Sequence, residues 1–335
     1  MNKTSSSRPR FRLYVERTFS RKFDDTLAFI SENWRPLLKY ITLVLLPVCI
    51  VLGLCLEGLV SALSGMEDSD VSDSALVRMG ASYLGTIIFY LAGGMLLSAV
   101  VYALMRIYLR RDNRLAGLDW AQCKTDLKYC LRREAKVVAV FVGISIVAVA
   151  LFVGIVTVAA AVDSVGLLLI LFPVSIGLLV VLMPLMLAFP IVAFADTSVG
   201  EAFRKAWRLG FGTWWSMFAF LVVITLVVSV MCYMLSLPWT ICYALRVAFI
   251  DETASASLLS WAPLLSVLGF IFGVGMVYVN YLLSSLVMVA LAVQYGHASE
   301  KMEGTSVESA IDEFEEQPSD ADDVALREID EFENL

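Results

Sequence analysis

The stretch "EAFRKAWRLGFGTWWSMFAFLVVITLVVSVMCYMLSLPW", Glu201–Trp239, decides the fold class. Up to Trp215 it carries Arg204, Lys205 and Arg208 interleaved with Trp207, Trp214 and Trp215; from there to Pro238 it is apolar and without charge. An uncharged apolar run of about 20 residues, taken at helical rise, crosses the roughly 30 Å hydrocarbon core of a bilayer. Barrel strands are excluded because they are alternating segments of about 10 residues, whereas this run is continuous.

Working outward, the same kind of run recurs along the chain. Spans are expected at about 40–63, 80–105, 137–162, 165–195, 214–237 and 262–293. The expected fold is therefore an all-α polytopic membrane bundle of six transmembrane helices with cytoplasmic amphipathic helices between them. Composition agrees: 335 residues are 59% hydrophobic and 17% charged, with a mean hydropathy of +0.79, far from the usage of a water-soluble domain. The fifth span is expected to stop near Pro238, because a helix running on to Phe249 exceeds the bilayer thickness. Beyond it, residues 238–249 read either as a short interfacial helix or as a re-entrant segment.

Charge placement tests this count independently. With a cytoplasmic N-terminus, the inner segments 1–39, 106–136, 196–213 and the tail after 296 hold 9, 9, 3 and 2 Lys or Arg, which leaves only Arg78 and Arg246 outside. The positive-inside bias thus predicts an even number of spans with both termini cytoplasmic. No apolar segment precedes Tyr40, so the first span is expected to serve as an uncleaved anchor. The six cysteines form no disulfide framework; Cys123 and Cys130 sit in an inner segment, and no third or fourth metal ligand accompanies them.

On a helical wheel Arg204, Lys205 and Arg208 fall within one arc, while Phe203, Ala206, Trp207 and Gly210 lie opposite. This predicts an interfacial helix ended by Gly210 and Gly212, with Trp214 and Trp215 at the headgroup level where the fifth span enters. A docking surface for an anionic partner is the competing reading. "FSRKFDDTLAFISENWRPLLKY", Phe19–Tyr40, repeats the design: Phe19, Phe23, Leu27, Ile30 and Trp34 recur at helical spacing, and Pro36 is expected to open a new helix. Aligning Trp34 with Trp214 brings Phe23 onto Phe203 and Leu27 onto Trp207. With the looser "LDWAQCKTDLKYCLRREAKVV" before the third span, the expected organisation is three units, each an amphipathic helix followed by a two-span hairpin.

"AFPIVAFADTSVGEAFRKAWRLGFGTWW" resembles a segment of bacterial integral membrane proteins related to the membrane domain of glycerophosphodiester phosphodiesterases. Pro190, Asp196, Ala202, Arg204, Trp207, Gly212 and Trp214 hold the matching places, and Ala206 stands where a serine is usual. The resemblance implies a six-span helical domain in the bacterial cytoplasmic membrane. It carries over no catalytic residue, because the phosphodiester chemistry of that group resides in a separate soluble barrel of roughly 200 or more residues, and no inner segment here approaches that length.

Intramembrane polar residues are the remaining candidates for function. Asn280, in "GMVYVNYLLSS", lies near mid-membrane, where a helix–helix hydrogen bond explains it more simply than a substrate site. Glu57 lies late in the first span. Asp196 is expected to pair with Arg204 or to cap the next helix, a cap that Thr197 or Ser198 could equally supply, and Pro173, Pro184 and Pro190 predict a kinked fourth span. No catalytic constellation, cofactor fingerprint or metal site is present, and the basic loops follow topology rather than a nucleic-acid footprint. From Gly296 the chain holds 14 acidic residues against Lys301 and Arg327 and reads as an acidic disordered cytoplasmic tail. Within it "IDEFEE" and "IDEFEN" place Ile311 and Phe314, then Ile329 and Phe332, in a tandem motif suited to a protein partner. The expected function is a non-enzymatic scaffold or regulatory membrane protein binding lipid and a cytoplasmic partner; the alternative is a transporter or lipid-handling protein with a cavity between hairpins.

Overall fold

The computed structural model describes residues 11–64, 73–162, 164–248 and 262–305. These residues form helices and connecting turns, without a strand among them. In chain order the helices are α1 (Phe19–Ser64), α2 (Asp73–Arg110), α3 (Trp120–Ala161), α4 (Val165–Leu168), α5 (Leu171–Leu185), α6 (Ala188–Phe194), α7 (Val199–Gly212), α8 (Trp214–Ala248) and α9 (Ala262–Glu303). Six helices are long and apolar enough to cross a membrane, within Phe19–Ala62, Leu76–Arg110, Trp120–Ala161, Leu171–Phe194, Trp214–Leu245 and Pro263–Glu303. The tandem motif with Ile311, Phe314, Ile329 and Phe332, the serine-rich acidic loop after Gly65 and the stretch around Trp261 lie outside the described residues.

Helices α1, α2, α8 and α9 form the packed body: α1 lies between α2 and α9, and α9 also meets α8 and α2. Thr42 and Tyr278 share a 2.6 Å hydrogen bond between α1 and α9, and the Tyr281 hydroxyl donates to the Tyr90 carbonyl of α2 at 2.9 Å. Such bonds keep polar groups satisfied where no water is at hand. The α3–α6 hairpin sits against this body through α2 and through α6 and α7. None of the residues in the most apolar stretch of α3 is buried, so much of that helix faces outward.

Several helices are longer than the hydrocarbon core of a bilayer is thick. At about 1.5 Å per residue the 46 residues of α1 extend about 69 Å, more than twice the core of a bilayer. The surplus lies at the charged end, where the amphipathic segments continue into the spans in three different ways. In α1 the helix kinks at Asn33 (φ −111°, ψ 18°), whose amide donates to the Phe29 carbonyl at 2.9 Å; the kink relieves the clash that Pro36 imposes on the preceding turn. In α3 the helix runs unbroken from its Asp119 cap, which accepts from the Trp120 amide at 2.8 Å. Between α7 and α8 only Thr213 intervenes.

The fourth span, expected to be kinked at its prolines, is broken into three helices. Pro173 and Pro190 each occupy the third position of their helix, where a missing N–H costs little. Pro184 lies one residue before the end of α5, so the helix stops there. The fifth span departs in the opposite sense. α8 passes through Pro238 to Ala248 rather than ending at the proline, and 238–248 is neither a separate interfacial helix nor a re-entrant turn. One lost donor, with its neighbours still stacked, is tolerated inside a long helix. The tail boundary also moves: Gly296–Glu303 continues α9, and Gly296, His297, Ala298 and Ser299 are buried.

Candidate functional site

The charged residues converge at one end of the bundle into a collar. At its centre Lys22 is fully buried in α1, and its ammonium donates to Gln294 Oε1 of α9 and Ser216 Oγ of α8, both at 2.7 Å. The Phe220 ring lies 5.8 Å from the same nitrogen, and Gln294 Nε2 donates onward to Thr213 Oγ1 at 3.2 Å. Among the described residues no carboxylate takes part; neutral oxygens and a ring face satisfy the cation instead.

Beside it, the buried Arg17 pairs with Asp25 at 2.6 Å and donates to the Leu13, Val15 and Arg12 carbonyls. Its backbone amide donates to His297 Nδ1 at 3.0 Å, which makes that imidazole nitrogen an acceptor. The segment before α1 is thereby pinned across the end of α9. The contact is close: a Cβ built on Gly296 falls 2.1 Å from the Leu13 carbonyl oxygen.

A second set of side chains closes the α2–α3–α6 corner. The Arg106 guanidinium stacks 4.2 Å over the Tyr129 ring, lies 3.6 Å from Asp126 and donates to the Ala193 carbonyl, one of the last orphan carbonyls of α6. Arg133 donates to the Thr197 carbonyl and pairs with Asp196 at 3.3 Å, while the Tyr129 hydroxyl also donates to Asp196. That hydroxyl, together with the nearby guanidinium groups, holds the Asp196 carboxyl below the usual range. Asp196 is therefore the partner of Arg133 and Tyr129, not of Arg204. The cap of α7 falls to Ser198, which forms a reciprocal box with Glu201 at 3.3 and 2.9 Å. The Ser198 amide lowers the Glu201 pKa as well.

The buried face of α7 is offset from the apolar side of the wheel. Ala202, Ala206, Leu209 and Gly210 are buried, whereas Trp207 is 47% exposed. Gly210 does not end the helix. It is a point of contact with α5, where a Cβ falls 2.5 Å from the Pro184 Cβ and 2.7 Å from its Cα. Of the three basic residues, Lys205 pairs with Glu303 at 2.6 Å and Arg208 with the same carboxylate, binding α7 to the end of α9; Arg204 is exposed. Trp215 is 77% exposed and Trp34 is 52% exposed. Trp214 is half-buried: it stacks on Phe218 at 5.1 Å and its Nε1 donates to the Val180 carbonyl at 3.4 Å. Pro184, four residues after Val180, has no N–H to offer that carbonyl, and the indole stands in for it.

In the N-terminal helix the expected apolar line splits, with Phe23 and Ile30 half-buried against the core. Lys22, Thr26, Phe29, Asn33 and Leu37 are the buried line, while Phe19, Leu27 and Trp34 point outward. Asn280 is half-buried in α9 with no hydrogen-bond partner among the described residues; Tyr278 and Tyr281 on either side make the interhelical bonds expected of it. Glu57 faces Gly269 of α9, eleven residues or about 16 Å from Asn280, so the two candidates do not share a site.

Reading the sequence missed Lys22, Gln294, Ser98 and Glu134. Glu134 is fully buried in α3: Ser98 of α2 hydrogen-bonds one of its oxygens and the other has no partner. The signal was the spacing of Cys123, Leu127, Cys130, Glu134 and Val137, a helical stripe facing α2 that the surrounding basic residues obscured. No protein-family model matches the chain, and neither a curated protein nor a solved structure matches it.

Proposed function

We propose that this chain is a multi-pass protein of the bacterial cytoplasmic membrane, with both termini in the cytoplasm, that acts as a non-enzymatic scaffold or regulatory component. It binds membrane lipid through its collar and a cytoplasmic protein through its acidic tail. The likeness to the membrane domain of glycerophosphodiester phosphodiesterases belongs to this reading and brings no phosphodiester chemistry with it. The observation that carries the proposal is the collar itself. Arg17, Lys22, Arg106, Arg133, Lys205 and Arg208 gather at one end of six long apolar helices, each tied to a neighbouring segment of the bundle. A one-sided belt of cations is the pattern the positive-inside rule produces. Exposed Trp34, Trp207 and Trp215 at that end have the amphipathic rings that settle at headgroup level. A rigid collar joined to a partner-binding tail is the construction of a scaffold.

The experiment compares the full chain with one truncated after Thr305, each captured from membranes under identical detergent. The full chain is expected to bring down a partner that the truncated chain does not. An identical partner set from both removes the tail-docking part of the proposal. Single cysteines at Trp34 and Arg204, probed from each side of sealed vesicles, test the orientation; labelling from the outer face overturns it. A second reading, lipid handling, is favoured by one observation: the crevice between α3 and α5 is wholly apolar and opens outward.

A further inference from the structure

That crevice has a volume of about 630 Å³ and runs from Val140 to Phe152 of α3, opposite Val174 to Val181 of α5. Two glycines, Gly143 and Gly177, line it, and a Cβ built on either meets no atom within 4 Å. α3 touches α4 and α6, the short helices flanking α5, so the hairpin is closed at both ends and open in the middle. The inner end is shut by Phe141, whose ring stacks on Phe189 at 5.4 Å and packs against Phe203 at 5.8 Å. A smaller space of about 390 Å³, which shares Leu151, continues it past Gly154 towards Val158.

Apolar walls of this kind keep water out, and within a bilayer hydrocarbon is the only other filling. Size decides which hydrocarbon. From Val140 to Phe152 is about 18 Å at helical rise, close to one leaflet of a core about 30 Å thick. A volume of 630 Å³ over that length gives a mean cross-section of about 35 Å², less than half the roughly 80 Å² of a helix 10 Å across. A second copy of the chain cannot enter with a helix; an acyl chain can. Charge decides which lipid. Lys136 lies one turn inward of Val140 on the same face of α3, and Arg132 one turn further. Both are exposed, and neither forms an ion pair among the described residues.

We propose that the α3–α5 crevice is a binding site for one acyl chain of an anionic phospholipid of the inner leaflet, with its phosphate held by Lys136. The inference rests on the membrane reading above and names the ligand class of that reading. Gly143 and Gly177 keep the crevice wide, and the Phe141–Phe189–Phe203 cluster sets how deep the headgroup end of the chain can sit.

The test uses the full-length protein in phosphatidylcholine vesicles doped with phosphatidylglycerol that carries a photoreactive diazirine on one acyl chain, followed by peptide mapping of the label. Labelling is expected to concentrate on α3 and α5, and Gly143→Leu with Gly177→Leu to abolish that concentration while labelling elsewhere persists. Lys136→Gln is expected to lower the phosphatidylglycerol signal about fivefold, the attraction of one cation near an anionic surface, and to leave a phosphatidylcholine probe unchanged. Label spread evenly over the exposed spans, or unaffected by filling the crevice, overturns the site. Crosslinking between copies through Gly143→Cys overturns it in favour of a dimer interface. Release of the protein by alkaline carbonate is a separate result: it removes the membrane reading itself. Because Lys136→Gln leaves the helix packing untouched, the charge arm holds even if the double leucine variant fails to fold.

Discussion

Lys22 Nζ and Gln294 Oε1 meet at 2.7 Å across 272 residues of chain, both fully buried, and through this contact the first helix is locked to the last. The bond is charge-assisted and has no carboxylate behind it, so each partner depends on the other. Lys22→Met, which retains the stem, is expected to cost about 1–3 kcal/mol because Gln294 loses the donor to its carbonyl oxygen. Gln294→Leu is expected to cost at least as much, about 2–3 kcal/mol, because it leaves the buried ammonium with only Ser216 Oγ and the Phe220 ring face. The double variant recovers part of the sum, since neither charge nor amide is then left unpaired. Thermal unfolding of the four proteins in one detergent measures the coupling; strict additivity contradicts it.

Two glycines mark contacts that admit no side chain. Gly210→Ala pushes a methyl group into Pro184 backbone and ring, and Gly296→Ala pushes one into the Leu13 carbonyl. Each is expected to destabilise by about 1–3 kcal/mol, the range for overpacking. Gly143→Ala, into open space, is expected to change stability by less than about 1 kcal/mol, in the stabilising direction if anything. Proteolysis of the N-terminal segment separates the cases further: cleavage near Leu13 accelerates in Gly296→Ala and not in Gly210→Ala.

Trp214 serves the kinked span more than the membrane surface. Trp214→Phe retains a ring to stack on Phe218 but removes the donor to the Val180 carbonyl. A loss of about 1 kcal/mol is expected. In a Pro184→Ala background, where residue 184 supplies its own N–H to Val180, that loss is expected to vanish. An equal effect in both backgrounds means the indole bond contributes nothing.

The Asp196 carboxyl, held below its ordinary pKa first by the Tyr129 hydroxyl, contributes stability that is present above about pH 4 and is lost as pH falls through its lowered value. The side chain is mostly exposed, so the contribution is below about 1 kcal/mol. Asp196→Asn is expected to lower the unfolding temperature slightly at pH 6 and to be indistinguishable from the parent near pH 2. A difference that grows on acidification assigns the opposite sign.

Most of the architecture was legible from two properties that need no tertiary contact. A run such as Ser216–Leu237 is uncharged over a length that suits a bilayer core. The belt of cations follows from the order in which such runs leave a membrane. What a helical wheel did not show is which polar residues turn inward. Leu27 and Trp34 are exposed, while Lys22, Thr26 and Asn33 turn inward to meet Gln294 and their own backbone. Glu134 was obscured in the same way among lysines and arginines.

Sequence alone therefore determined the number of long apolar helices and the segments that carry charge, because hydropathy and charge are properties of single residues summed over a window. Only the tertiary structure decided which cations are spent on the fold. Lys205, Arg208, Arg133 and Lys22 are occupied within the collar, while Lys136 and Arg132 stand exposed beneath an open crevice. It also decided that Pro184 ends a helix against Gly210 while Pro238 lies within one. A proline removes the same donor in both places; what differs is whether a neighbour, here a glycine with no side chain and an indole with a spare N–H, stands close enough to accept the break.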